Sequence, residues 1–348
     1  MSSKILYSSP EKQIEKLKTQ NLIIKDESQA VKFLELYGYT NLIKNYRRPY
    51  TISTSNGIIY RSGVTFDQVC SLYLLDKNLR NAVIAAMLDL EEHIKEATAD
   101  VLARSFGTDH NDYLKFRNYQ NKKVRIQRFS LAAILDSITK TLSSDQDPVH
   151  HYISTYGTVP PWVLLKVQFM GTIVNLIDKL KQPQQEMLFT KLYPHLSNSS
   201  INKDYLQMMR DTLFICYEYR NIAAHGGRIY NHKCKAHFRQ IPELKISPSG
   251  FSQLLQLLSL MDYKNPWNYL NLILNSELNR HCSRYPEDVT YLSSTLNMNI
   301  QLRKIVWISG SSKKYHVNRH CSGILHPEEM NLEEAVAKGY RPCKRCCE

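Results

Sequence analysis

The sequence predicts an all-α body followed by a small C-terminal α+β module stabilised by zinc. Three observations carry this. Twelve glycines and thirteen prolines are about 7% of 348 residues, too few turn-formers for the many hairpins of a sandwich or barrel. Apolar residues recur at helical spacing over long stretches, most clearly from Val69 to Val101. Four of the eight cysteines, Cys321, Cys343, Cys346 and Cys347, fall in the last 28 residues, close to the β-like run Ile305 to Ile308.

In chain order, residues 10–37 read as two helices with a short break, the second capped by Asp26 or Ser28. Residues 43–62 read as a loop with a small hairpin at Asn56-Gly57. Thr65 and Gln68 make a capping box for a long helix, with room for a break at Asp76 to Asn78. Further helices are expected over 131–142, 162–180, 185–192, 204–225 and 251–260, and irregular chain over 113–129 and 226–249. A chain of this length exceeds what one core usually holds, so two bodies are expected. We place a helical domain over 1–278, a polar linker over 279–300 and a zinc-binding module over 301–348.

Apolar residues at 43% suffice to close a core, which excludes global disorder. No apolar run approaches the ~18 residues a membrane helix needs, and the charged start MSSKILYSSPEKQIEKLK predicts no secretory signal. A cytoplasmic protein with no membrane partner is the expectation. The net charge of +13 suits a nucleic acid, an anionic surface or plain solubility alike.

In a reducing compartment, clustered cysteines favour metal over disulfides. Cys343-x2-Cys346 converges two thiolates from one turn, and His316 with Cys321 offers a second pair upstream. Three sulfurs and an imidazole complete a closed tetrahedral Zn²⁺ site of the structural kind. His320, His326 and Cys347 compete as ligands.

The segment 204–225 reads as an amphipathic helix stopped by Gly226-Gly227, with Arg220, Asn221 and His225 on its last two turns. A histidine that moves protons and an arginine that holds phosphate oxygens are what metal-independent RNA cleavage needs. One such pair supplies half of an acid/base system, and a symmetric dimer would supply both halves. An Arg and a His five apart also occur in ordinary helices.

Six basic residues, Lys115, Arg117, Lys122, Lys123, Arg125 and Arg128, lie in a stretch without acids and alternate with Tyr113, Phe116, Tyr119 and Phe129. That mixture suits phosphate neutralisation with base stacking, and equally a solvated loop.

Arg220-Asn221-x3-His225, followed by Arg228-Ile229-Tyr230-Asn231, resembles the signature of the AbiD/AbiF abortive-infection family. Gly38-Tyr39, the stretch Phe66 to Arg80, Glu91-Glu92-His93, Pro160-Pro161-Trp162 and Phe169-x-Gly171-Thr172 resemble it in the same order. Tyr315-His316, Cys321-Ser322-Gly323 and Gly339 to Cys346 are similar to the Ada-type zinc-binding module. The resemblance implies a HEPN-like helical fold, phage defence, and RNA as target or partner, including a small noncoding RNA. It implies that Arg220, Asn221 and His225 carry cleavage to 2′,3′-cyclic phosphate ends with no metal needed, and that Arg228 joins the RNA contacts. A noncatalytic RNA-binding scaffold is the competing expectation. A purely protein-binding adaptor leaves the basic stretch and the cysteine cluster unexplained.

Overall fold

The computed structural model describes residues 7–55, 57–197, 203–302, 304–310, 312–322 and 324–347. Ser9 accepts from the Lys12 N–H and opens α1 (Pro10–Thr19), where Pro10 supplies a preset first turn. Asp26 does the same through Gln29 N–H for α2 (Glu27–Tyr37). A hairpin follows, β1 (Thr51–Thr54) against β2 (Gly57–Tyr60). Asn56 of the expected turn lies outside the described residues.

The next helices are α3 (Phe66–Phe106), α4 (His110–Tyr113), α5 (Leu131–Thr141), α6 (Val149–Tyr156), α7 (Pro161–Leu164), α8 (Met170–Asp178), α9 (Gln182–Leu192), α10 (Lys203–Ala224), α11 (Phe251–Leu260), α12 (Asn265–Cys282) and α13 (Val289–Leu296). The chain closes with β3 (Ile305–Ser309), β4 (Ser312–His316), β5 (Glu328–Asn331), α14 (Leu332–Ala337) and β6 (Arg341–Pro342). The protein is a mostly helical body with a small α+β C-terminal part, as expected.

Four local expectations are corrected. The long helix α3 runs 41 residues without a break, because Asp76 is buried as a hydrogen-bond acceptor and does not disrupt the turn. Thr65 caps that helix through Gln68 N–H, but the Gln68 amide does not return to complete a box; it donates to Glu287 and Asp288. The helix expected over 162–180 is two pieces. The Gln168 side chain takes over the Leu164 carbonyl at 3.2 Å, ending α7 and leaving Phe169 to start α8. Residues 279–300, read as a linker, hold the end of α12 and all of α13, and their polar texture comes from a buried cluster.

The chain divides into two compact units. One comprises Met1–Leu72, Asn275–Ser294 and Met298–Glu348, the other Tyr73–Leu274 with Thr295–Asn297. In the first, His281 bonds Ser71 Oγ at 2.8 Å and Asp288 Oδ2 at 2.9 Å, while Asp288 also accepts from Tyr50 Oη and Gln68 Nε2. Paired in this way, the cluster avoids the cost of unmatched buried polar groups. The same unit contains the four-stranded sheet, ordered β5-β3-β4-β6, antiparallel except for the parallel pair β4 and β6. Val306, Ile308 and Ala335 form its small core with Tyr315 and Tyr340.

In the second unit α10 lies centrally, packed on α8, α9 and α11. Its buried stripe of Leu206, Met209, Leu213, Cys216 and Ala223 follows the helical repeat and fixes which side faces out. No helix among the described residues is long and apolar enough to cross a membrane.

Candidate functional site

The end of α10 is shaped by its glycines. Gly226 takes φ +71°, its N–H bonds Ala223 O at 3.1 Å, and Gly227 N–H bonds Ile222 O at 2.8 Å. This pair of bonds is the Schellman stop, and it places His225 at the cap. The departing chain is then held from α3. Asp76 Oδ1 accepts from Ile229 N–H at 2.9 Å and Tyr230 N–H at 2.8 Å, and Arg80 reaches both Asp76 and the Gly226 carbonyl. Arg80 therefore belongs to this clamp.

Two carboxylates of α10 hold the following loop. Asp211 accepts from Arg239 N–H, and Glu218 accepts from Lys235 and Ala236 N–H groups and bonds His232. Glu218, His232 and Cys234 lie near one another. Glu218 with its bonded His232 thus clamps the loop, and burial pushes the nearby Cys234 thiol up.

Between this loop and α10 lies a largely apolar cavity of about 490 Å³, lined by Phe214, Tyr217, Asn221, Ile222, His225 and His237 among others. A second cavity of about 380 Å³ lies across the helix, lined by Arg128, Phe129, Phe169, Asn175, Tyr217 and Arg220 among others. Tyr217 and Asn221 line both, so they form the ridge between. The two belong together because residues four apart share a helical face. His225 opens on the first cavity, exposed, and Arg220 on the second, half-buried.

Tyr217 is seated by a close approach. A Cβ on Gly171 would stand 2.5 Å from the Tyr217 hydroxyl oxygen, so glycine here leaves the end of the Tyr217 ring its place against α8.

Of the basic stretch, Arg128 alone lines a cavity with the α10 residues; its guanidinium lies 4.7 Å from the Phe129 ring centroid. Lys115 is paired with Asp112, Lys122 bonds Asp178 at 3.0 Å, and Arg117, Lys123 and Arg125 are exposed. The expected aromatic interleaving is corrected for two of its four rings, while Phe116 is exposed and Phe129 lines the second cavity. Tyr113 and Tyr119 are buried, Tyr113 donating to Val159 O and Tyr119 to Tyr113 O, so neither ring is open to a base. Arg228 sits half-buried on the clamped loop and lines neither cavity.

Sequence reasoning missed Tyr217 and Asp76 as site-builders. For Asp76 the signal was an acid inside the apolar run Cys70 to Leu79, a place where acids are rarely unpaired.

In the sheet unit, the ligand atoms of His316, Cys321, Cys343 and Cys346 all lie within 4.8 Å of one another. Strand register achieves this: Cys343 N–H bonds Tyr315 O at 2.9 Å, which sets it beside His316 at the end of β4, and Cys346 folds back over Cys343. The Cys321 to Cys343 sulfur separation is 4.0 Å, and Cys346 Sγ lies 3.6 Å from His316 Nδ1. Zinc-like bonds of about 2.3 Å to sulfur and 2.0 Å to nitrogen give tetrahedral edges of about 3.8 and 3.5 Å, so the group could hold a metal ion.

Burial, helped by the Lys314 charge, lowers the His316 pKa and keeps its imidazole in the neutral, ligating form. Burial alone would raise the Cys346 pKa, but the Asn318 and Val317 N–H groups hold that thiol below its ordinary range. His320 and His326 are exposed, and the Cys347 thiol donates to Tyr315 O at 3.4 Å.

Fold and site together define a helical protein with a polar site at one helix end and a separate Cys/His cluster. Residues 32–231 match the family described as Abi-like protein, and the chain belongs to that family. The matched region includes Arg128, Arg220, Asn221 and His225 and stops before the Cys/His cluster. The role that goes with this membership is phage defence by abortive infection. No curated protein and no solved structure matches the chain.

Proposed function

We propose that this abortive-infection protein acts on RNA as a metal-independent, HEPN-type endoribonuclease. The observation that carries the reading is the convergence of Arg128, Arg220 and Asn221 on one cavity, with His225 just across the ridge. Two guanidiniums beside an asparagine suit a phosphodiester, since arginine presents a planar fork of donors to phosphate oxygens. Asn221 lines both cavities, so a phosphate resting on it is approached by Arg220 from one side and His225 from the other.

In the proposed reaction the ribose 2′-oxygen bonds to phosphorus as its proton passes to a base. The bond from phosphorus to the 5′-oxygen breaks, and that oxygen takes up a proton. The products are a 2′,3′-cyclic phosphate and a free 5′-hydroxyl. His225 serves one proton transfer and Arg220 offsets the charge on the phosphorane. A second copy of the chain supplies the other histidine, which makes the working form a homodimer. A small noncoding RNA is the natural restraint, occupying the site without being cut. Lys115, Arg117, Lys122, Lys123, Arg125 and Arg228 would act at longer range, through charge.

We further propose that the ion at His316, Cys321, Cys343 and Cys346 is Zn²⁺, filling all four positions and holding the sheet. Tetrahedral spacing and a three-sulfur donor set support zinc. Such a site supplies folding energy to a sheet whose own core is small.

The test compares wild type with His225→Ala on total cellular RNA, mapping 2′,3′-cyclic phosphate ends alongside growth. Ends and growth arrest that vanish in the variant support cleavage. Identical end maps and growth overturn it, and RNA copurifying equally with both would then favour the scaffold reading.

A further inference from the structure

We propose that the site receives an unstacked dinucleotide step of single-stranded RNA, with Phe169 as the stacking platform for one of its two bases. This rests on the RNA reading above and specifies what that site grips.

Two cavities flanking one ridge match the repeat of a nucleic-acid strand, in which two bases flank one phosphate. Their volumes, about 490 and 380 Å³, lie within the range of small-ligand sites, roughly 300 to 1,000 Å³. Their linings differ in a way that orients the strand. The larger is apolar, with Phe214 and Ile222, and its Asp211 and Glu218 would repel a phosphate. It suits a base. The smaller carries Arg128 and Arg220, so a phosphate resting on Asn221 is neutralised from that side.

Phe169 is the unexplained residue of the smaller cavity. It starts α8, contributes no capping bond, and is 81% exposed. Single exposed rings are common on protein surfaces, but this one lines the cavity that also holds Arg128 and Arg220. Beside it, Arg128 already lies against Phe129, so a base arriving here meets an aromatic face with a guanidinium alongside. Base stacking on exposed aromatic rings is the general grip for single strands, and a duplex, its bases already stacked, cannot use it. Asn175, whose Nδ2 donates to Gly171 O at 2.7 Å, adds a polar residue to the lining.

The experiment measures binding of a fluorescein-labelled 2′-O-methyl hexaribonucleotide, which has no free 2′-hydroxyl for the proposed cleavage, the same strand with two adjacent abasic positions, and a duplex of it. Wild type, Phe169→Ala and Arg220→Ala full-length chains are compared. Phe169 is exposed, so its truncation leaves the fold intact, and Phe169→Tyr serves as the conservative rescue. Wild type should bind the intact strand about tenfold more tightly than the abasic strand or the duplex. Phe169→Ala should erase that preference, Phe169→Tyr should restore it, and Arg220→Ala should weaken intact and abasic strands alike. If Phe169→Ala keeps the full preference, or wild type shows none while Arg220→Ala still loses affinity, the dinucleotide proposal is overturned and the RNA reading stands. Absence of binding by wild type to every RNA overturns both.

Discussion

Replacing Asp76 with alanine tests how the site is held. Its carboxylate is fully buried and accepts from two backbone N–H groups, those of Ile229 and Tyr230, on a loop whose residues there are themselves buried. Alanine takes this shared acceptor away from both donors. Each stranded donor costs about 1–3 kcal/mol. Arg80, with 13% of its side chain exposed, also loses the carboxylate 3.5 Å away, but it keeps the Gly226 carbonyl, so this adds less than a full buried pair. Two donors at that cost give about 2–6 kcal/mol together. Asparagine retains one acceptor oxygen and should cost about 1–2 kcal/mol, the difference in strength between a charged and a neutral acceptor. Urea unfolding gives the totals, and amide hydrogen exchange at Ile229 and Tyr230 locates the loss. A loss below about 1 kcal/mol with unchanged exchange at those two amides would refute the clamp.

Two further outcomes follow from buried chemistry. Burial lowers the His93 pKa from its ordinary 6.5, against the pull of Asp262 and Asp89, and the ring stacks on Tyr263 at 4.6 Å. The unfolded chain therefore takes up a proton that the folded chain resists, so this contribution is complete above pH 6.5 and declines as pH falls below it. Urea midpoints at descending pH should drop more in wild type than in His93→Phe, which keeps a stacking ring but cannot titrate; parallel curves would count against this assignment. For the Cys/His cluster, Cys343→Ser should lose bound zinc, measured by elemental analysis, and should lower protection of amides within residues 305–343 while sparing those of α10. Full zinc retention would mean a different ligand set.

The helices were legible because apolar residues repeat with the helical period, and the candidate metal ligands because a Cys-x2-Cys turn brings two sulfurs together whatever surrounds it. The body's segmentation was harder to read. Gln168 ends α7 through a side-chain bond that no periodicity encodes, and residues 279–300 look like a linker because the polar groups of His281 and Asp288 satisfy one another inside the structure. Tyr113 and Tyr119 read as stacking residues for the opposite reason. Tyrosine suits both a surface and a core, and only their hydroxyl partners, the Val159 and Tyr113 carbonyls, show which applies.

By itself the sequence determined that Arg220, Asn221 and His225 share the last turns of one glycine-stopped helix, since local spacing and Gly226 suffice for that. It also determined that His316, Cys321, Cys343 and Cys346 form a candidate ligand set. Only the tertiary structure decided that Arg128, from a segment about ninety residues upstream, meets Arg220 in one cavity, and that Asp76 reaches the loop after the helix. Such contacts depend on how α3, α5, α8 and α10 pack, and packing joins residues whose separation along the chain carries no signal.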